Sequence, residues 1–321
     1  MKLISIVVPC YNEQENIQSF YQEIMKVYQS LPKDSYELEI IYVDDGSTDS
    51  TLLEIRKLTK MSPIVKYLSL SRNFGKESAL YAGLQHTKGD YTAVMDVDLQ
   101  DPPELLPVML KILEEEEYEC VATRRSNRKG EPFMRSLFAA AFYRLIRKMS
   151  NMEIMDGARD YRLMTRKFVN SLLELKEYNR FSKGLFEWVG FPVKWLEYEN
   201  RERVGGSTKW SFKKLFIYSL DGIISFSTVP AVVSGLFGLL FCLVAFLCLI
   251  IIFGRALLYG DPVAGWPSTI CIILFIGGIQ MFCLGITGEY MAKTYMEVKR
   301  RPVYLCKETN ITAESEEKEY E

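Results

Sequence analysis

The sequence predicts an α/β protein built on a mostly parallel sheet and followed by two membrane-crossing helices, and three observations carry that expectation. Between Leu3 and Leu196, short β-branched runs alternate with stretches of helical period, the pattern of strands joined through covering helices. Further on, 229–254 and 268–288 hold no charged residue; at about 26 and about 21 residues, each exceeds the roughly 20 that cross a hydrocarbon core about 30 Å thick. Acids also collect directly after apolar runs, in YTAVMDVDLQDPPEL (91–105) and in VDDGSTD (43–49). That places them at the carboxyl ends of strands, where open α/β sheets gather ligands.

In chain order, strands are expected at 4–9, 38–43, 65–69, 91–95 and 119–123, with helices at 13–29, 50–60, 76–86 and 103–116. The first run is about seven apolar residues ending at Pro9 without a small-residue cleavage site, so it reads as a buried strand and not as a signal peptide. Ser47 to Asp49 supply an N-cap signal for 50–60. Asp101, Pro102, Pro103 and Glu104 turn the chain into 103–116.

The expected organisation is a globular domain over 1–210, an amphipathic juxtamembrane segment at 211–228, a first span at 229–254, a short external loop at 255–267, a second span at 268–290 and a basic, then acidic, tail at 291–321. Lys209, Lys213 and Lys214 precede the first span, and Lys293, Lys299, Arg300 and Arg301 follow the second. The loop offers Arg255 against Asp261. The positive-inside rule therefore puts the large domain and both termini in the cytosol, in a multi-pass protein of the plasma membrane. Another amphipathic stretch, 135–148, sets Leu137, Phe138, Phe142 and Leu145 among Arg135, Arg144, Arg147 and Lys148, the composition of a helix lying in the interface. Gly235, Gly238, Gly277, Gly278 and Gly285 favour close helix packing and hence a homo-oligomer. From Lys307 the chain is polar, acidic and poor in aromatics, and disorder is expected.

Composition narrows the chemistry. A net charge of −2 gives no basic field for a nucleic-acid partner. The single histidine, His86, excludes a multi-His zinc site and argues against a Ser/His triad. Seven cysteines without a CxxC pair read as reduced thiols in a cytosolic chain. Carboxylates and guanidinium groups are left to act.

Asp96 and Asp98 stand at i and i+2, on the same side of a continuing strand. A hard cation such as Mg²⁺ or Mn²⁺ takes oxygen ligands of this sort and keeps positions for diphosphate oxygens; a solvated turn is the plain alternative. Asp44 and Asp45 at a neighbouring strand end can accept hydrogen bonds from a nucleobase or ribose, whereas helix capping accounts for Ser47 and Asp49. Two basic, glycine-bearing stretches, SRNFGKE (71–77) with Arg72 and Lys76 and RERVGGSTKW (201–210) with Arg203, would offset charge on a departing diphosphate. Either stretch alone also reads as a surface loop.

Taken in order, Pro9-x-Tyr11-Asn12-Glu13, DDGSTD, RNFGKE, DVDLQDPPE, DGARDYRLM and RVGGSTKW, ahead of two apolar spans, resemble inverting glycosyltransferase family 2. The nearest branch is that of bacterial polyprenyl-phosphate glycosyltransferases, relatives of dolichyl-phosphate mannose synthase, and the likeness covers roughly residues 3–300. It implies a GT-A fold, a nucleotide-sugar donor of the UDP kind, polyprenyl (undecaprenyl) phosphate as acceptor, and a lipid-linked sugar for cell-surface glycan modification. Pro9, Tyr11, Glu13, Asp44 and Asp45 would hold the nucleoside, Arg72, Lys76, Asp96 and Gln100 the rest of the donor, and Asp96 and Asp98 the metal. Arg203 would face the diphosphate, and Arg124 and Arg135 the acceptor phosphate. Many relatives read GDFRL where this chain reads ARDYRL, which leaves Asp156 beside Asp160 as the acid at the reacting sugar; the Tyr-Arg-Leu context favours Asp160. The competing readings are a processive polysaccharide synthase, which normally carries a Q/RxxRW segment and more spans, and a non-catalytic membrane scaffold.

Overall fold

The computed structural model describes residues 1–32, 34–125, 155, 157–198, 224, 227–259 and 265–311. Its centre is four parallel strands, β1 (Lys2–Cys10), β2 (Tyr36–Asp44), β3 (Val65–Leu70) and β4 (Tyr91–Val94), with β1 between β2 and β4, and β3 outside β2. Ile4, Ile6, Val7, Val8, Ile40, Ile41 and Val43 are sealed from solvent, because helices cover both faces and a parallel strand must then be apolar on both. On one face lie Ile17, Phe20 and Ile24 of α1 (Ile17–Ser30), Ile55 and Leu58 of α2 (Thr51–Met61), and Met109 and Leu110 of α4 (Leu106–Glu115). The other face packs on Ala79, Leu80 and Ala82 of α3 (Lys76–Gln85).

Beyond β4 the sheet continues with the expected strand near 119–123 and, on either side of it, two strands that the apolar pattern did not announce. β6 (Ala158–Thr165) runs antiparallel to both β4 and β5 (Cys120–Arg125), and β7 (Val193–Tyr198) lies parallel to β5. With β8 (Cys306–Thr309) the whole is an eight-stranded sheet of order β7-β5-β6-β4-β1-β2-β3-β8, mostly parallel and of the GT-A-like α/β kind. β6 escapes recognition because ARDYRLMT interleaves charges with apolar residues. Arg162 in its middle is 2% exposed and lies 3.5 Å from the ring centroid of Phe186, on α6 (Ser182–Trp188), which follows α5 (Arg166–Glu174).

Two long helices come next, α7 (Val229–Tyr259) and α8 (Trp266–Val298). Among the described residues, Val229–Cys248 is the stretch long and apolar enough to cross a membrane, with a mean hydropathy of 2.6. Helix α8 continues past 290 to Val298. Near its end the Glu297 carboxylate accepts the backbone N–H groups of Tyr178, at 3.0 Å, and Asn179, at 3.1 Å. The amphipathic stretch at 135–148 and most of 211–228 lie outside the described residues.

The expected disorder from Lys307 is corrected for 307–311. β8 (Cys306–Thr309) pairs antiparallel with the outer edge of β3. Leu305 O accepts from Ser71 N at 2.9 Å. Asn310 extends the ladder with its side chain, Oδ1 accepting from Tyr67 N at 2.7 Å and Nδ2 donating to Val65 O at 3.2 Å. Arg56 grips both carboxylate oxygens of Glu308 at 2.5 Å. A short polar stretch has no reason to order alone, but an open strand edge offers a row of unpaired backbone groups to pair with.

Candidate active site

The turns that follow β1, β2 and β3 are joined into one wall. After β1 the chain reverses at Asn12, whose φ of 54° is in the left-handed region that Asn tolerates. Asn12 N donates to Ser47 Oγ at 2.9 Å, its Oδ1 accepts from Thr48 N at 2.8 Å, and Glu13 N donates to Thr51 Oγ1 at 2.8 Å. The Glu13 carboxylate is taken by Asn16 Nδ2 at 2.7 Å. Tyr11 remains on the rim, 38% exposed. At Gly46, with φ 66°, a Cβ would stand 2.5 Å from the Arg72 carbonyl carbon. Only glycine lets the turn after β2 sit on the 71–75 stretch in this way. Arg72 lies over the Phe74 ring at 4.5 Å.

Asp44 and Asp45 are buried in that wall. Asp44 accepts from Ser47 N at 3.1 Å and from Ser69 Oγ at 3.0 Å. Asp45 accepts from Phe74 N at 2.7 Å and Gly75 N at 2.9 Å. Burial pushes the Asp45 carboxyl above its ordinary pKa, against the pull of those two amides. Both acids expected at the nucleoside therefore also fix the shape of the wall.

Lys76, the first residue of α3, joins two of the acids. Its Nζ lies 2.7 Å from Asp96 Oδ1 and also bonds the Asp160 carboxylate. Burial alone would raise the Asp160 pKa; Lys76, helped by Lys183 and Arg159, holds it well below the usual carboxylate range. Lys76 in turn is raised: burial works against its charge, but Asp160 and Asp96 prevail. Lys183 is anchored on Ala158 O at 3.1 Å. Asp98 is 8% exposed, and its Oδ1 accepts from Gln100 N at 3.2 Å.

Asp101 does more than turn the chain. It is 1% exposed, and its Oδ1 accepts from Arg159 Nε at 2.8 Å and from the Tyr198 hydroxyl. Gln100 Oε1 accepts from Arg159 Nη2 at 3.2 Å and Arg125 Nη2 at 3.4 Å. No local sequence signal announces partners so far along the chain. Arg124, expected at the acceptor phosphate, is engaged by Glu197 and by Met155 Sδ at 3.1 Å, while its neighbour Arg125 reaches Gln100. Asp156, Arg135 and Arg203 lie outside the described residues.

Among the described residues no three Asp, Glu, His or Cys side chains gather as a closed metal cage. The carboxylates of Asp96 and Asp98 suit Mg²⁺ or Mn²⁺, which takes one or two carboxylates and completes its shell with water and phosphate oxygens.

A parallel α/β sheet with acids and cations gathered at its strand ends is thus joined to the ordered motifs from Pro9 to Asp160. Residues 5–173 match the family model described as glycosyl transferase family 2, and the chain belongs to that family. The putative glycosyltransferase CsbB of Bacillus subtilis (strain 168) is 44% identical over 309 residues, covering 96% of this chain and 92% of that protein. The prophage bactoprenol glucosyl transferase homolog of Escherichia coli (strain K12) is 41% identical over 304 residues, covering 95% and 98%. A solved structure of glucosyl-3-phosphoglycerate synthase from Mycobacterium tuberculosis, in complex with Mn²⁺, UDP-glucose and phosphoglyceric acid, is 21% identical, covers 70% of this chain and 78% of that one, and gives a TM-score of 0.49.

Proposed function

We propose that this protein transfers one sugar from a nucleotide sugar, a UDP-sugar by preference, to polyprenyl phosphate at the cytosolic face of the plasma membrane, with inversion at the anomeric carbon. The observation that carries the reading is the meeting of Asp96 and Asp160, from two separate stretches, on the Lys76 ammonium. It puts the acid suited to a metal-bound diphosphate and the acid suited to the reacting sugar side by side. The naming of a relative as a bactoprenol glucosyl transferase homolog supports a polyprenyl carrier as acceptor and makes glucose the first sugar to test.

The wall from Tyr11 to Asp45 would receive the nucleoside, with Arg72 and Arg203 near the diphosphate. Asp96 and Asp98 would hold Mg²⁺ or Mn²⁺, which when bound offsets charge on the leaving diphosphate. The nucleophile is a phosphate oxygen, largely ionised at neutral pH because a phosphomonoester's second pKa is about 6. No strong general base is required. Asp160, kept ionised by Lys76, can instead stabilise positive character at the anomeric carbon. Arg135 would meet the acceptor phosphate, and Arg124 can join it only by leaving Glu197. Helices α7 and α8 would cross the bilayer as a hairpin with both termini cytosolic; just 6% of the apolar stretch of α7 is buried, unlike a core helix. Glycines on both helices favour a homo-oligomer.

The test is to incubate membranes containing the protein with undecaprenyl phosphate and a panel of labelled nucleotide sugars. The expected product is a single-sugar lipid, β-linked from an α-linked donor. A long polymer, or no transfer from any donor, would overturn the reading. Asp98→Ala should abolish transfer while the protein still inserts and folds; near-normal turnover in that variant would sink the metal assignment.

A further inference from the structure

Arg159 helps to keep Asp160 ionised, but no ligand-binding role has been attached to it. Consecutive strand residues point to opposite faces of a sheet, so β6 gives Asp160 to Lys76 on one face and Arg159 to the 98–101 turn on the other. There the guanidinium is held at two points, Nε on Asp101 Oδ1 at 2.8 Å and Nη2 on Gln100 Oε1 at 3.2 Å. The Tyr198 hydroxyl closes on the same Asp101 oxygen. Asp101 and Tyr198 are buried, and among the described residues Asp101 Oδ2 has no hydrogen-bond partner.

As a purely structural pair this arrangement gains little, since desolvation of a buried ion pair offsets most of its attraction and apolar side chains of like volume would serve as well. Its geometry suits another purpose. Arg159 is anchored from behind yet 21% of its side chain stays accessible. It is near enough to Asp96 for that charge to act on it, and it grips Gln100, two residues past Asp98. A planar fork fixed in this way is preorganised for a phosphate oxygen.

We propose that Arg159 is a phosphate-binding residue of the transfer site and that Asp101 and Tyr198 are the residues that position it. The proposal rests on the reading of the chain as a sugar transferase to a lipid phosphate, in which two phosphate groups meet, the donor diphosphate and the acceptor monophosphate. The chemistry they share is an anionic phosphate oxygen, and the measurement separates the two sources.

The full chain in detergent, with Mn²⁺ present, is tested for binding of UDP and of undecaprenyl phosphate separately by calorimetry, and for steady-state transfer at varied concentrations of each substrate. Arg159→Met keeps most of the side chain's volume without its charge. It should weaken one ligand about tenfold to hundredfold, the loss expected of a hydrogen bond to a charged group, and raise the KM for the matching substrate. Loss of UDP affinity assigns Arg159 to the donor; loss confined to the lipid phosphate assigns it to the acceptor. Asp101→Asn, which keeps an acceptor oxygen and so the fold, should raise the same KM by a smaller factor with kcat little changed. Unchanged affinity for both ligands in Arg159→Met would overturn the proposal, even if that variant melts at a lower temperature. Because the binding arm needs no turnover, it decides the role of Arg159 separately from whether the wild-type chain transfers sugar.

Discussion

Lys76→Ala should make the metal-free protein less stable and yet more responsive to a divalent cation. Lys76 donates to Asp96 at 2.7 Å and to Asp160, and each such charge-assisted bond is worth about 1.5–3 kcal/mol when well shielded. The Lys76 side chain is 38% exposed, so solvent screening reduces each to about 1 kcal/mol, or about 2 kcal/mol together. For a domain of this size that corresponds to a fall of roughly 4–8 °C in melting temperature. The opposite sign appears on adding metal. A cation arriving at Asp96 and Asp98 has to displace Lys76 from Asp96, and without that competitor Mn²⁺ should bind about fivefold tighter, the equivalent of about 1 kcal/mol. Thermal unfolding of the detergent-solubilised chain, first in EDTA and then across a Mn²⁺ titration, reads both effects. Equal melting temperatures in EDTA, or a Mn²⁺ response no larger than that of the wild type, would refute the reasoning.

Glu39 is 2% exposed and accepts from the Ser5 hydroxyl, from Lys88 N at 3.1 Å and from Lys66 Nζ at 2.5 Å. Burial pushes its carboxyl up, but these partners together hold it below the ordinary value. A folded pKa below the unfolded one, about 4.3, gives stability that is complete above that pH and is lost as the pH falls through the folded value. Glu39→Gln should therefore cost about 1–3 kcal/mol at pH 7 and progressively less as the pH falls below about 4; a cost that does not change over that range in urea unfolding would show that the charge is irrelevant. Asn310→Ala removes two bonds to β3 and should loosen β8 by about 1–3 kcal/mol. Hydrogen exchange at the Tyr67 amide reports it, and unchanged protection there would mean that Asn310 does not hold the edge.

The parallel half of the sheet was legible because its strands are buried on both faces and so appear as apolar runs. Helix α1 starts at Ile17 and not at Glu13, since the residues before it are occupied in hydrogen bonds to the 47–51 turn. β6 and β8 were not legible, and the reason is tertiary in both. Arg162 can be buried only because Phe186 arrives from a later helix, and 306–309 becomes a strand only because the edge of β3 is open. In the site, the motifs singled out Asp96, Asp160 and Lys76 individually, but not that one ammonium joins them. Arg124 and Arg135 are the arginines expected at the acceptor, and strand alternation sends Arg124 to Glu197 and its neighbour Arg125 to Gln100. Spacing alone does not reveal which of two adjacent side chains faces a crevice.

Helix α8 is longer than the membrane it is proposed to cross. Its 33 residues, at a rise of 1.5 Å each, make a rod of about 50 Å against a hydrocarbon core about 30 Å thick, so roughly 20 Å must stand clear of the lipid tails. Glu297, one residue before the end of that rod, clasps the backbone of Tyr178 and Asn179, a few residues from Lys183, which bonds Ala158 O beside Asp160. In the proposed hairpin the helix would act as a spacer: the Glu297 clasp would hold the domain at the end of that rod, clear of the lipid tails and facing the layer where a lipid's phosphate emerges.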